Sequence, residues 1–219
     1  MKIYGARFEW EYPYKELIDL PIKIAASQIK ACPNIETSPI GLEEISAKFA
    51  EQSHQVTGAQ KGTLMHLILQ KLEFGRDYTK EELKKFINQL YLQKIIQKEE
   101  VEKIDVLKIY QFLQSEIYAR IKEAKQVEKE KAFCVNLELE EFGRQEVAVQ
   151  GMIDLYFIDK KGQLVLLDYK TDFIEDEKLL KEKYFTQLNI YKKALEISLN
   201  RRVDEVCIYA THLNKLIYL

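Results

Sequence analysis

Residues 151–172, GMIDLYFIDKKGQLVLLDYKTD, read as two strands around a turn, and both strands carry the Ile, Leu, Val, Tyr and Phe of a buried sheet. Asp154, Asp168 and Lys170 interrupt those apolar runs. An unpaired charge inside a sheet costs several kcal/mol, so a fold built on this hairpin must accommodate all three. With the turn centred near Lys161, paired residues have numbers that sum to about 322, and Asp154 stands opposite Asp168 with Cβ atoms about 5 Å apart. Lys170, two residues further on, projects from the same face as Asp168. Two carboxylates at that separation repel unless a proton or a cation lies between them. A buried Asp–Lys ion pair accounts for Lys170 and one aspartate. The second leaves excess negative charge, which a hard divalent cation with oxygen ligands neutralises.

Around this hairpin the chain divides by character. Residues 1–40 gather the prolines and several aromatics, FEWEYPY among them, and are expected to form an extended arm, interrupted by a short helix after Ser27, that packs or docks against another surface. Residues 41–219 are expected to form the main domain, mainly helical over 41–128 and β-rich over 129–219. In the helical part, Thr79 and Glu82 of TKEEL have capping-box spacing, and Asp105 precedes the helix VLKIYQFL as an N-cap. QKIIQKEEVEKID has the mixed charge of a solvated helix or connection. Thr63 is placed to cap a helix that puts His66 in its first turn. The β-rich part has turn signals at Gly143 and Gly162, followed by an amphipathic helix in DEKLLKEKYFTQLNIYKKALEISL and a last strand in VDEVCIYATHL. This order predicts an α/β (α+β) fold, a mixed central sheet flanked by helices, with a helical N-terminal half.

Composition narrows the function. A chain of 219 residues with 47% hydrophobic and 31% charged residues is long enough for one large globular domain. Its formal charge of −2 offers no bulk attraction for nucleic acid, so an enzyme of nucleic acids would need a local basic surface. No apolar run approaches a membrane span, and the N-terminus is too polar for a signal peptide, which together predict a cytoplasmic protein with no membrane partner. Cys32, Cys134 and Cys207 are too few and too scattered for a disulfide framework, a zinc knuckle or an iron–sulfur cluster. No GxxxxGK[ST] loop is present, so no ATPase activity is expected of this chain.

An Asp, a short hairpin and Asp-x-Lys make a pattern that resembles the core of the PD-(D/E)xK nuclease superfamily, a restriction-endonuclease-like fold. GMID and DYKT are similar to the G-x-x-D and D-Y-K-T signatures of its RecB-type branch. GTLMH at 62–66 resembles the branch's upstream G-T-x-x-H motif, and QLNIY at 187–191 its downstream Q-x-x-x-Y motif. Glu130 matches the glutamate of an Arg-Glu-x-Pro-Phe stretch in which Lys129 replaces the Arg and Ala132 the Pro. The segment FEWEYPY…LPIKIAASQIK is similar to the arm before the nuclease domain of AddA-type (RexA) helicase–nucleases. His54 and His212 match no motif, and ordinary surface or edge roles are expected of them.

The resemblance implies a Mg²⁺-dependent deoxyribonuclease, with Mn²⁺ as a substitute. It implies metal ligation by His66, Asp154, Asp168 and the main-chain carbonyl of Tyr169, with Lys170 completing a catalytic set of Asp154, Asp168 and Lys170. Gln187 and Tyr191, four residues apart on one helix face, would hold the strand or form a core hydrogen-bonding pair. The implied substrate is single-stranded or unwound double-stranded DNA, degraded from a 3′ end during double-strand-break processing and recombinational repair. The implied partners are a helicase domain in the same parent polypeptide and a sister protein of AddB type. The alternative is a catalytically inactive DNA-binding or subunit-docking module, against which the joint presence of Asp154, Asp168 and Lys170 counts.

Overall fold

The computed structural model of the chain describes residues 23–29, 58–139 and 145–219. Most of the expected arm, the start of the helical part, His54, Cys32 and Gly143 lie outside the described residues. Strand β1 (Lys23–Ala25) runs into a single 3₁₀ turn, Ala26–Gln28, at the place where a short helix was expected. Five helices follow: α1 (Gly58–Lys71), α2 (Lys80–Leu92), α3 (Lys98–Val101), α4 (Val106–Leu113) and α5 (Glu116–Lys122). Thr79 and Glu82 close a capping box on α2, and Asp105 accepts from the backbone N–H of Lys108 to cap α4. The expectation for Thr63 fails. Helix α1 begins at Gly58, so Thr63 is internal and His66 lies about two turns in rather than in the first turn.

The sheet is formed by β1, β2 (Gln126–Leu139), β3 (Gln145–Ile158), β4 (Leu164–Lys170), β5 (Glu205–Ala210) and β6 (Lys215–Tyr218), with helix α6 (Glu177–Leu199) crossing from β4 to its parallel neighbour β5. Its order is β1-β3-β4-β5-β6, with β2 antiparallel to β3. Strand β5 is not the last. A turn through Asn214, at φ 50°, sends the chain back as β6, whose four residues are too few to register as a periodic pattern. The β3–β4 hairpin has the anticipated register, Leu155 opposite Leu167 and Tyr156 opposite Leu166, turning through Gly162 at φ +86°.

Two strands share one edge of β3. β1 pairs with residues 148–150 and β4 with residues 155–158, while β2 runs along the other edge. Residues 151–154 therefore face a gap where the sheet opens, one rung beyond Leu155–Leu167. Asp154 stands at that rung, and Asp168 is its counterpart on β4.

Both faces of the sheet are covered. Leu64, Ile68, Ile109, Phe112 and Tyr118 of the helical layer pack on Leu155, Phe157, Val165, Leu167 and Tyr209. Leu180, Leu188, Tyr191 and Leu195 of α6 pack on Val149, Ile153, Tyr156, Leu164, Leu166 and Ile208. Leu155 and Phe157 thus belong to the first core and Val149 and Ile153 to the second, although all four are odd-numbered and successive odd residues of a strand point the same way. On β2 the same exchange separates Val127 from Phe133, Val135 and Leu137. Both strands change face around the Glu130–Asp154 rung, where Glu130 adopts φ +49°. A left-handed glutamate is uncommon, and such backbone conformations cluster at functional sites.

Two motif glycines are explained by close approach. A Cβ at Gly151 would lie 2.6 Å from Phe133 Cζ and 3.2 Å from Tyr191 Cε1. One at Gly62, within α1, would lie 2.6 Å from Thr171 Oγ1, so this glycine lets the helix bearing His66 rest directly on the strand bearing Asp168 and Lys170. In an exposed helix, Gly→Ala stabilises by about 1 kcal/mol. Here Gly62→Ala is expected to forfeit that gain, and Gly151→Ala to destabilise by about 1–3 kcal/mol through overpacking. Urea unfolding of the two variants checks both, and a more stable Gly151→Ala would contradict the packing account.

Candidate metal centre

Four segments converge at the opening in the sheet. Asp154 turns its carboxylate into the gap, where Oδ2 accepts from the backbone N–H of Tyr169 at 2.9 Å. The side chain thereby satisfies a donor that the separating strands no longer pair. Its other oxygen, Oδ1, lies 3.4 Å from His66 Nδ1, and Glu130 Oε1 lies 3.9 Å from the same nitrogen. His66 Nε2 stands 3.1 Å from the main-chain carbonyl of Tyr169. A carbonyl only accepts, so Nε2 carries the proton and the neutral ring presents its Nδ1 lone pair to the two carboxylates. One ligand atom from each of His66, Glu130 and Asp154 lies within 4.8 Å of the others. A histidine held by a carbonyl at one nitrogen and open at the other has the arrangement of a metal ligand.

Helix α1 is fastened in this position from its far end. The Lys129 ammonium donates to the carbonyls of Leu69 and Leu72, as a cation capping a helix C-terminus does, and sits 4.4 Å from the centre of the Phe74 ring. Burial pulls the Lys129 pKa below its ordinary value. Lys129 and Glu130 are neighbours on β2, so one dipeptide anchors the helix and contributes to the cluster.

On the other side of β4, Asp168 is 1% exposed. Lys170 Nζ lies 2.7 Å from Asp168 Oδ2, yet this oxygen has no aligned hydrogen-bond donor. The same ammonium lies 3.4 Å from Gln187 Oε1 and 4.3 Å from the centre of the Tyr184 ring. Gln187 Nε2 donates to the Tyr191 hydroxyl at 2.8 Å, and Tyr191 rests edge-on against Phe133. The Tyr184 hydroxyl donates to Asp172, which also pairs with Lys183 at 2.7 Å. Lys170 is therefore held by Asp168, Gln187 and Tyr184 together.

The electrostatics record a surplus of negative charge. Burial, then the neighbouring Asp154, pushes the Asp168 carboxyl up to about 6 against the pull of Lys170. Burial and Asp154 also raise Glu130. Burial opposes charge on His66, but Asp154, Asp168 and Glu130 outweigh it and raise the histidine above 6.5. Carboxylates that favour protonation, a histidine that favours its cation and a buried carboxylate oxygen without an aligned donor all indicate a place for added positive charge. Nitrogen and oxygen donors in this number fit a divalent cation.

The structure brings His66, Glu130, Asp154, Asp168, Lys170, Gln187 and Tyr191 to one opening, and it gives three of them partners other than those expected. The Tyr169 carbonyl faces His66 instead of standing free, Asp168 faces Lys170, and Gln187 and Tyr191 form a chain that ends on Lys170. Sequence reasoning missed Tyr184 and Asp172. Their signal is the spacing of Tyr184, Gln187 and Tyr191, three and seven residues along one helix face.

A mixed sheet covered by helices on both faces, opening between two carboxylate-bearing strands with a lysine two residues past the second, defines a core of the PD-(D/E)XK type. The chain belongs to the PD-(D/E)XK nuclease superfamily, which it matches over residues 41–211. It is 32% identical over 220 residues to an ATP-dependent helicase/nuclease polypeptide of Thermoanaerobacter sp. (strain X514), covering 93% of this chain and 18% of that protein. The corresponding proteins of Alkaliphilus metalliredigens (strain QYMF) and Clostridium kluyveri (strain ATCC 8527 / DSM 555 / NBRC 12016 / NCIMB 10680 / K1) are 32% and 29% identical, again over 93% of this chain and 18% of theirs. The chain spans about a fifth of the length of these curated relatives.

An acid whose folded pKa exceeds its unfolded value binds more protons when folded. Its contribution to stability is complete below the unfolded pKa, 3.8 for Asp168, and is lost as pH rises through about 6. The raised His66 acts in the same direction above 6.5. Asp168→Asn is therefore expected to flatten the fall in metal-free stability between about pH 4 and 6 and to be at least as stable as the parent at pH 7.5, by up to about 1–3 kcal/mol. Chemical denaturation in chelator across that range measures it. A variant less stable at every pH would make the Asp168–Lys170 pair a net structural contribution.

Proposed function

We propose that the chain is the nuclease part of a longer helicase–nuclease polypeptide, hydrolysing phosphodiester bonds of single-stranded or unwound DNA with Mg²⁺. The carrying observation is the convergence of His66, Glu130, Asp154 and Asp168 beside a fixed Lys170. His66, Asp154 and Asp168 would hold the cation, with Glu130 as a further carboxylate on the same ring nitrogen. When bound, a divalent cation supplies Lewis-acid polarisation of the scissile phosphate and a lowered pKa for a coordinated water. The chain supplies the rest. Asp154 fixes the two strands and the histidine at once. Lys170, kept in place by Asp168, Gln187 and the Tyr184 ring, offers its ammonium to the charge that accumulates on the phosphoryl oxygens in the transition state. Gln187 and Tyr191 act by aiming Lys170, and contact with the DNA strand is a second role for the side of Gln187 that faces the opening.

The names of the relatives support attachment to a helicase domain in a longer chain and assembly with a second protein of AddB type. They also support a role in double-strand-break processing and recombinational repair in the cytoplasm. No helix among the described residues is long and apolar enough to cross a membrane. A 3′→5′ exonucleolytic direction and a dependence on a helicase for ATP hydrolysis belong to the same reading.

The test is cleavage of end-labelled single-stranded DNA by the 219-residue chain with Mg²⁺ or Mn²⁺ and with chelator. Divalent-dependent cleavage, lost in Asp154→Ala and Asp168→Ala variants that remain folded, is expected. Metal-independent or absent cleavage by folded wild-type chain would leave a DNA-binding or docking module. Lys170→Ala is expected to bind Mn²⁺ by calorimetry with little change while turnover falls by orders of magnitude, because a protonated lysine is no ligand and acts in the transition state. Since ligation needs the neutral His66 ring, Mn²⁺ affinity is expected to fall as pH drops through a value somewhat above 6.5. A His66→Ala variant should lack that step, and an unchanged profile would remove His66 from the ligand set.

A further inference from the structure

Beyond Lys170 the chain leaves the sheet through Thr171 and Asp172 and exposes Phe173, 78% accessible to solvent, the most exposed large hydrophobic side chain among the described residues. Phe173 is not a free side chain in solvent. Its ring lies against the imidazole of His212, centroids 4.2 Å apart at 42°, and the Lys108 ammonium lies 5.2 Å from its centre. His212 is placed there by the parallel ladder, since the N–H of Thr211 donates to the carbonyl of Lys170 at 2.9 Å. Beneath Phe173 is a cavity of about 170 Å³ walled by Met65, Ile104, Ile109, Thr171 and Thr211, with Lys103 and Lys108 among its lining. Asp105 also lines it, but its carboxylate is engaged as the cap of α4.

Three facts specify an occupant. The cavity is apolar and smaller than a drug-sized pocket, room for one flat ring system. Its polar contribution is Thr211, 2% exposed, whose Oγ1 is buried without a hydrogen-bond partner. A hydroxyl in that state incurs a desolvation cost that a ligand bearing a donor or acceptor would relieve. The cavity also adjoins the metal centre directly. Met65 precedes His66, Thr171 follows Lys170, and Phe173 Cα is at most about 11 Å from Lys170 Cα.

Resting on the nuclease reading above, we infer that this cavity is a nucleobase subsite. Phe173, backed by His212, stacks on one base of a single strand whose phosphate lies at the metal centre, the Thr211 hydroxyl bonds an edge of that base, and Lys103 and Lys108 face the adjoining phosphates. A base inside a duplex is stacked on both sides and cannot enter, so the subsite selects single-stranded over double-stranded DNA.

The test is a binding cycle on the 219-residue chain with Ca²⁺, using a fluorescent single-stranded oligonucleotide and a series of the same oligonucleotide with one abasic position walked along it. Phe173→Ala is expected to weaken binding of the intact strand about 5- to 100-fold. The loss should match that from the abasic substitution at one position and should not add to it, which places the two groups in contact. Phe173→Trp should restore the affinity. Thr211→Val, which removes the unpartnered hydroxyl at constant shape, should leave thermal stability unchanged or raised and weaken the intact strand while sparing the abasic one. Equal affinities of wild type and Phe173→Ala, or losses that add at every abasic position, would overturn the subsite while leaving the nuclease reading in place. Failure of the wild-type chain to bind any of the oligonucleotides would overturn both.

Discussion

The hydrogen bond from the Tyr169 N–H to the Asp154 carboxylate is what allows the sheet to open without leaving an orphaned backbone group. Up to Leu155–Leu167 the two strands satisfy each other in the ordinary way. One rung later a side chain takes over from the backbone, and the space it creates is where the histidine of α1 reaches in. A buried carboxylate is costly unless its oxygens are engaged. Asp154 meets that condition with the amide on one oxygen and His66 on the other. Removing it would cost the sheet a bond at the point where the sheet is weakest and the histidine its nearest charge.

The remaining parts of the centre are arranged around that opening by contacts that leave little slack. Gly62 brings α1 onto Thr171, Lys129 holds the end of the same helix, and Gly151 makes room for Phe133 and Tyr191. The lysine that carries the transition-state role in our reading is held by a carboxylate, an amide oxygen and an aromatic face, each from a different position in the chain. Preorganisation of this kind lets a charged group act without reorganising as charge develops.

The hairpin, its register and the shared helix face of Gln187 and Tyr191 were legible because they depend on periodicities of two and four and on a turn with a glycine at its corner. So were the caps at Thr79 and Asp105, which are local. The start of α1 was misread because the residues that extend it upstream, Gly58 onward, carry no capping signal, and Thr63 offered a false one. The conformation of Glu130 leaves no trace in the residue type, since a positive φ is expected of glycine or asparagine. The network of Tyr184 and Asp172 was overlooked because a tyrosine and an aspartate separated by twelve residues look like unrelated solvent-facing groups until a helix brings them together. The partners of Tyr169, Asp168 and Gln187 depend on which way side chains turn in an opening, which no spacing encodes.

The change of face along β2 and β3 has a consequence for how the molecule comes apart. One hairpin serves both cores, giving Leu155 and Phe157 to the helical layer and Val149 and Ile153 to the layer under α6. Neither layer can detach while that ladder is intact, and neither can retain its packing once it is lost. The two halves are thus joined into a single cooperative unit whose seam runs through Glu130 and Asp154. A cation bound at the seam would act as a rivet, tightening both layers at once, so the protein's slowest-exchanging amides and its metal occupancy should rise and fall together.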